Sequence, residues 1–309
     1  MKGSEVDLSL TIAGVKFRNP VIAASGTFGY GREYSGLLDI SGLGGICTKG
    51  LTLASRPGNE GTRLHETPSG LMNSIGLENP GIEAFIEKEL PRLRKLGPAV
   101  IANLSGSTIE EYIEGAKLLD KSSVDMIELN ISCPNVAEGG MAFGLDPEIA
   151  GAVTRQVRKA APDKPLMVKL SPNAADLHEV ARSCVDAGAD ALSLVNTFKA
   201  LAIDINRRKP VFENTFSGLS GPAIRPLALR MVWELYETVR IPIVGMGGIA
   251  SAADALEFLL AGATAIQIGS STFAHPPLMN EVIRGIKEYM KKNNFNSLEQ
   301  LSIRPQISG

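Results

Sequence analysis

The chain has 309 residues, 44% apolar and 21% charged, which is enough to fill one globular core. Thirty-one Lys and Arg against thirty-three Asp and Glu give a formal net charge of -2, so no electrostatic footprint for nucleic acid is present. No apolar run reaches the roughly 18 residues of a membrane span, and the opening MKGSEVDLSL lacks the apolar core of a signal peptide, so a cytoplasmic protein with no membrane partner is expected.

In chain order, 8–12 and 15–17 flank Ala13-Gly14 and read as a hairpin that covers the bottom of whatever follows. Eight short apolar runs come next, at 21–24, 45–48, 99–103, 125–130, 166–170, 191–195, 241–245 and 265–268. They are apolar on successive residues instead of alternating, as parallel strands buried on both faces are. Between them lie amphipathic stretches at 82–96, 109–120, 147–160, 174–187, 226–239 and 252–261, and 279–292 closes the series. Gly97, Gly188 and Gly262 stand where three of these helices should stop. Eight strands with seven helix-like stretches among them and no change of composition predict a (β/α)8 TIM barrel occupying 1–309 as a single domain; a doubly wound open sheet is the rival.

Three connections are longer than a minimal βα loop needs: 50–80, 131–146 and 196–222. Each follows a strand, so each is expected at the C-terminal mouth, where barrel chemistry takes place. The strand ends at that mouth carry Ser25, Lys49, Asn103, Asn130, Lys169, Asn196, Gly247 and Gly269. A single Asn or Ser there commonly caps a helix or closes a turn. Two lysines are harder to explain that way, because Lys is seldom buried without a partner, and together they suggest an anionic ligand. Gly247-Gly248 and Gly269-Ser270 follow strands seven and eight, the place where backbone N–H groups of a barrel gather a phosphate. Gly42-Leu43-Gly44-Gly45 falls short of a dinucleotide fingerprint. The three cysteines and three histidines are scattered, so neither a disulfide framework nor a metal site is expected.

The segment Asn130-Ile131-Ser132-Cys133-Pro134-Asn135 runs directly off strand four. Cys47 in a strand and Cys184 in a helix read as small buried hydrophobes. Cys133 lies instead in a polar, Pro-containing loop at the mouth, where a thiol can exchange a proton with a ligand. Its free pKa of about 8.5 means that a base acting near neutral pH needs nearby cations, a part Lys49 and Lys169 could take.

Asn-Ile-Ser-Cys-Pro-Asn-Val at 130–136, Thr48-Lys49-Gly50, the 73–80 stretch Asn-Ser-Ile-Gly-Leu-Glu-Asn-Pro, Val195-Asn196-Thr197 and the 246–249 turn Met-Gly-Gly-Ile together resemble the dihydroorotate dehydrogenases. The loop Cys and the following 136–144 segment resemble class 1B of that family. The resemblance implies FMN at the barrel mouth and oxidation of (S)-dihydroorotate to orotate in pyrimidine synthesis, with hydride passing to flavin N5. By the same resemblance Cys133 is the catalytic base. Lys49, Asn73, Ser74, Ile75, Gly76, Leu77, Asn130, Asn196 and Thr197 hold the substrate. Ser25, Lys49, Gly50, Asn103, Asn130, Lys169, Val195, Gly221, Gly247, Gly248, Gly269 and Ser270 contact FMN. It further implies a partner subunit that carries FAD and a [2Fe–2S] cluster and hands electrons to NAD, in a heterotetramer of two plus two. This chain has no clustered cysteines to house such a cluster itself. The alternatives are a dihydropyrimidine (dihydrouracil) dehydrogenase, which has no substrate carboxylate for Lys49 to meet, and a non-flavin sugar-phosphate lyase or isomerase barrel using Lys49 or Lys169 as a Schiff base.

Overall fold

The computed structural model describes residues 6–132 and 143–301. In chain order their strands are β1 (Leu10–Ile12), β2 (Val15–Phe17), β3 (Val21–Ala23), β4 (Gly45–Cys47), β5 (Leu64–Thr67), β6 (Gly70–Asn73), β7 (Ala99–Leu104) and β8 (Met126–Asn130). They continue as β9 (Leu166–Lys169), β10 (Ala191–Leu194), β11 (Phe198–Leu201), β12 (Ile203–Asp204), β13 (Lys209–Pro210), β14 (Phe216–Ser220), β15 (Ile243–Met246) and β16 (Ala265–Ile268). The eight runs marked by continuous apolar character are β3, β4, β7, β8, β9, β10, β15 and β16. They pair in parallel and close into a barrel, with β16 returning to β3 through Gln267 opposite Ile22. Closure rules out the open sheet.

Side chains alternate between two cores because successive residues of a strand point to opposite faces. One face packs under the surrounding helices, with Val21, Val100, Ile127, Val168 and Leu192 all buried there. The other fills the barrel interior with Ile22, Cys47, Ile101, Met126, Met167, Ala191, Val244 and Ala265. The β1–β2 hairpin closes the bottom of that interior, contributing Ile12 and Phe17. Its two-residue turn has positive φ at both Ala13 (47°) and Gly14 (82°), the geometry whose twist matches a tight hairpin.

Side-chain caps set the helix starts. Thr108, Asp146, Asp176 and Ser251 each accept from the backbone N–H three residues on, and helices begin at Ile109, Pro147, Leu177 and Ala252. The Asp176 cap places one start three residues later than the apolar pattern at 174 suggests. The helix expected over 82–96 carries a π turn at Phe85–Glu89 before its last segment, Leu90–Leu96. Pro91 has no N–H for the regular i→i−4 bond, and a wider turn just before it accommodates the gap. No helix among the described residues is long and apolar enough to cross a membrane.

Two of the three expected loops contain a sheet. β5 and β6 from 50–80 and β11 and β14 from 196–222 make an antiparallel layer in the order β11-β14-β6-β5. The β5–β6 turn is the two residues Pro68-Ser69, with Thr67 opposite Gly70. These strands hold four or five residues each, and only β5 and β11 alternate in burial, so their run-length signal is short. The third stretch, 131–146, lies mostly outside the described residues.

The Phe17 ring packs on Gly45 of β4, where an added Cβ would meet its Cε1 at 3.0 Å. Phe17→Ala should therefore open the barrel floor and destabilise the chain by about 3–5 kcal/mol, read as a lower urea midpoint at unchanged slope.

Candidate active site

Two residues further along the interior face, the barrel lining changes from apolar to polar. Ile101, Met126, Met167, Ala191 and Ala265 are followed at i+2 by Asn103, Glu128, Lys169, Ser193 and Gln267, all buried. At the centre of this layer stands Glu128, with no solvent exposure. Its Oε1 accepts from Cys47 Sγ at 3.1 Å and Asn103 Nδ2 at 2.6 Å, and lies 3.9 Å from Lys169 Nζ. Its Oε2 accepts from Ser193 Oγ at 2.8 Å and Gln267 Nε2 at 2.7 Å. Burial by itself would push the Glu128 carboxyl up, but the Lys169 charge and the donors Cys47, Gln267 and Asn103 outweigh it and hold the group below the usual carboxylate range. The opposite holds at Cys47, where burial and then the Glu128 charge raise the thiol well above its ordinary value, so it stays a protonated donor. Cys47 is buried as expected, and it is also part of a polar network. Cys184 is buried, and its thiol is pushed up to about 12 by burial.

From Glu128 a chain of hydrogen bonds runs outward to the mouth. Asn103 Oδ1 accepts from Asn130 Nδ2 at 3.4 Å, and Asn130 Oδ1 accepts from Ser132 Oγ at 2.7 Å. Ser132 Oγ in turn accepts from Asn196 Nδ2 at 2.5 Å, and Asn196 Oδ1 accepts from the Thr197 N–H at 2.8 Å. An ionised carboxylate only accepts, so the direction of every amide in the chain is determined from its buried end.

Above this layer a cavity of about 560 Å³ opens between the barrel mouth and the antiparallel sheet. Pockets of about 300–1,000 Å³ suit cofactors and small substrates. The barrel supplies Ser25 after β3, Lys49 and Gly50 after β4, Asn130, Lys169, and Val195, Asn196 and Thr197 after β10. Gly221 enters after β14, Gly247 and Gly248 after β15, and Gly269 and Ser270 after β16. Asn73 at the end of β6, with Ser74, Ile75, Gly76 and Leu77 behind it, lines the opposite wall. Asn103 does not line the cavity: it stands behind the wall with its amide committed to Glu128 and Asn130. Cys133 lies outside the described residues.

The sheet also brings in Lys199 and Phe216, and the segments leading into β5 and β14 bring in Arg56, Asn59 and Asn214, none of which strand-end reasoning singled out. Glu128 and Gln267 were missed too. Their signal was a charge and an amide embedded in the otherwise apolar runs 126–129 and 265–268, where a parallel strand has no solvent face for them.

The glycines of the last two turns differ in meaning. Gly248 has φ +75°, and a Cβ there would meet the Gly221 carbonyl oxygen at 2.8 Å, so turn geometry and packing already require glycine. A Cβ on Gly269 would meet nothing closer than Ala24 Cβ at 3.5 Å. Neither packing nor backbone demands glycine at 269, so the space it leaves on the cavity wall is room for a ligand. Gln267 gives a second sign of the same kind, since its Oε1 is buried with no hydrogen-bond partner. An acceptor, a cation and an unfilled glycine wall fit a group that carries both an N–H-bearing ring and a phosphate. Among the described residues no cluster of three His, Cys, Asp or Glu side chains is placed to hold a metal ion.

The dihydroorotate dehydrogenase family model matches residues 7–290. The catalytic subunit of dihydroorotate dehydrogenase B (NAD(+)) from Petrotoga mobilis is 57% identical over 296 residues, covering 96% of this chain and 98% of that protein. The proteins of the same description from Caldicellulosiruptor saccharolyticus and Geotalea daltonii are 55% and 52% identical, with 98% and 97% of their lengths covered. The chain belongs to the dihydroorotate dehydrogenase family.

The Glu128 environment has a pH signature. A carboxyl held below its unfolded value of about 4.3 stabilises the fold above that pH, and the contribution fades as pH falls through the lower folded value. Urea midpoints of wild type and Glu128→Gln should therefore differ by a constant amount between pH 5 and pH 7 and converge only below about pH 4. Convergence already by pH 6 would mean that burial, not pairing, governs the group.

Proposed function

We propose that this chain oxidises (S)-dihydroorotate to orotate in pyrimidine biosynthesis, with residues 1–309 acting as one FMN-binding catalytic domain in the cytoplasm. The observation that carries this reading is the buried polar layer topped by a cavity whose walls combine Lys49, Lys169 and Lys199 with several Asn side chains. Orotate presents a carboxylate, ring carbonyls and ring N–H groups, and Lys together with Asn, which both donates and accepts, complements each of them.

FMN, when bound, supplies the two-electron acceptor that protein side chains lack. Lys169 and Gln267 at the floor, with Ser25, Gly50 and Val195 on the walls, are the groups placed to hold its ring. Gly247, Gly248, Gly269 and Ser270 would take its phosphate. Lys49, Asn73, Asn130, Asn196 and Thr197 hold the substrate, with Ser74 to Leu77 shaping the wall above it. Oxidation removes a proton from C5 and a hydride from C6, so a base must stand on one face of the substrate. Cys133 Sγ is that base on this reading. It rests on the family's loop motif, because Cys133 lies outside the described residues. The relatives' names pair a catalytic subunit with NAD(+). We extend this to an electron-transfer partner holding FAD and a [2Fe–2S] cluster, joined as two plus two.

The purified chain should be yellow, and anaerobic dihydroorotate should bleach it while dihydrouracil should not. Bleaching by dihydrouracil alone would overturn the substrate assignment, and a colourless protein that takes up no added FMN would overturn the cofactor. Cys133→Ala should retain the flavin and lose most of the rate of flavin reduction in stopped flow. Lys49→Ala should weaken dihydroorotate binding by about 10–100-fold, as loss of one charge-assisted contact of about 1.5–3 kcal/mol does.

A further inference from the structure

A carboxylate that only accepts forces every neighbour to present a donor. Glu128 has about four lone-pair sites, and the donors Cys47, Asn103, Ser193 and Gln267 use them, with the Lys169 ammonium beside Oε1. For Gln267 this settles the amide orientation: an oxygen turned toward Oε2 at 2.7 Å would set acceptor against acceptor. The nitrogen therefore faces Glu128, and Oε1 is left buried without a partner on a residue that is 1% exposed and lines the cavity.

We propose that Glu128 is a positioning residue: it fixes the Lys169 ammonium and turns the Gln267 amide so that the cavity floor offers a cation and a carbonyl acceptor to a ring edge carrying C=O and N–H side by side. The proposal rests on the flavin reading above. The isoalloxazine ring has such an imide edge, and so does orotate. Lys169 and Gln267 are 5% and 1% exposed, deeper than the covering sheet, so the ligand that meets them is the one seated first, the flavin. The Glu128 charge also offsets that of Lys169 beneath the ring. Neutralising Glu128 leaves the cation uncompensated and favours the reduced, anionic flavin.

The test uses flavin-stripped full-length chain reloaded with FMN, comparing wild type with Glu128→Gln, Glu128→Asp and Gln267→Met. Gln267→Met should weaken FMN binding about tenfold and leave orotate titration of the loaded protein unchanged. Glu128→Gln should bind reduced FMN about tenfold more tightly relative to oxidised FMN, a rise in midpoint potential of about 30 mV for a two-electron couple. Glu128→Asp, which keeps the charge, should bring the potential back toward wild type, an outcome that a packing role alone would not give. If Glu128→Gln fails to fold, FMN affinity of Gln267→Met decides the matter. Variants that load FMN with wild-type affinity and potential overturn the proposal while leaving the flavin reading intact. An orotate affinity that changes at constant FMN affinity assigns the acceptor to the substrate and overturns its assignment to flavin. Wild type that binds no FMN overturns the flavin reading and this one with it.

Discussion

Placing an ion inside a barrel costs on the order of several kcal/mol after relaxation, and Glu128 is kept only because four donors and a lysine converge on it. Such a cluster is weak evidence for stability, since apolar side chains of equal volume often serve as well. What it provides is direction. Asn103 must face its nitrogen to the carboxylate, so its oxygen must face Asn130, and the same constraint passes through Ser132 to Asn196. Asn130 and Asn196, which could each turn either way, are held in one arrangement by a charge two and four hydrogen bonds below.

The barrel separates this task from that of holding itself together. Its lower interior, from Phe17 and Ile12 up to Met126 and Met167, is apolar and sealed by the β1–β2 hairpin. Only one side-chain layer higher does the lining become polar, and only above that does the cavity open. The antiparallel sheet that faces the cavity is drawn from two stretches far apart in sequence, joined where Gly218 of β14 lies opposite Asn73 of β6. Asn73 Nδ2 bonds the Gly218 carbonyl oxygen at 3.2 Å, so one candidate substrate group is tied to the seam between the two stretches.

Sequence reading located all eight barrel strands because both faces of each are buried, which leaves an unbroken apolar run with a sharp end. The same property exposed the strand-end residues: Lys169 and Asn130 are conspicuous because β9 and β8 end on them. Glu128 and Gln267 lie within the runs, where a single polar residue is easily averaged away by its neighbours. The covering sheet was illegible for a different reason. Its strands gain their order from pairing across 145 residues, as Asn73 to Gly218 illustrates, and not from any local period. Glycines at 247, 248 and 269 suggested one phosphate site built from two turns, but only the space around each Cβ distinguishes glycine kept for the fold at 248 from glycine left open at 269.

Lys49 and Lys169 gave identical signals, a lysine ending a buried strand, and their surroundings now distinguish them. Lys169 is 5% exposed and shares Oε1 of a carboxylate that has no solvent contact. Water cannot replace Glu128 there, so the ammonium is fixed whatever else binds. Lys49 faces Glu78 at 3.6 Å, a pair in which the side chains are 25% and 48% exposed and for which Arg63 competes at 3.0 Å. An exposed pair of this kind is worth about 0–1 kcal/mol, so an arriving carboxylate can take Glu78's place at little cost. On the proposed reading this matches the two ligands: a resident cofactor needs a cation that does not move, and a substrate that enters and leaves at every turnover needs one that can exchange partners.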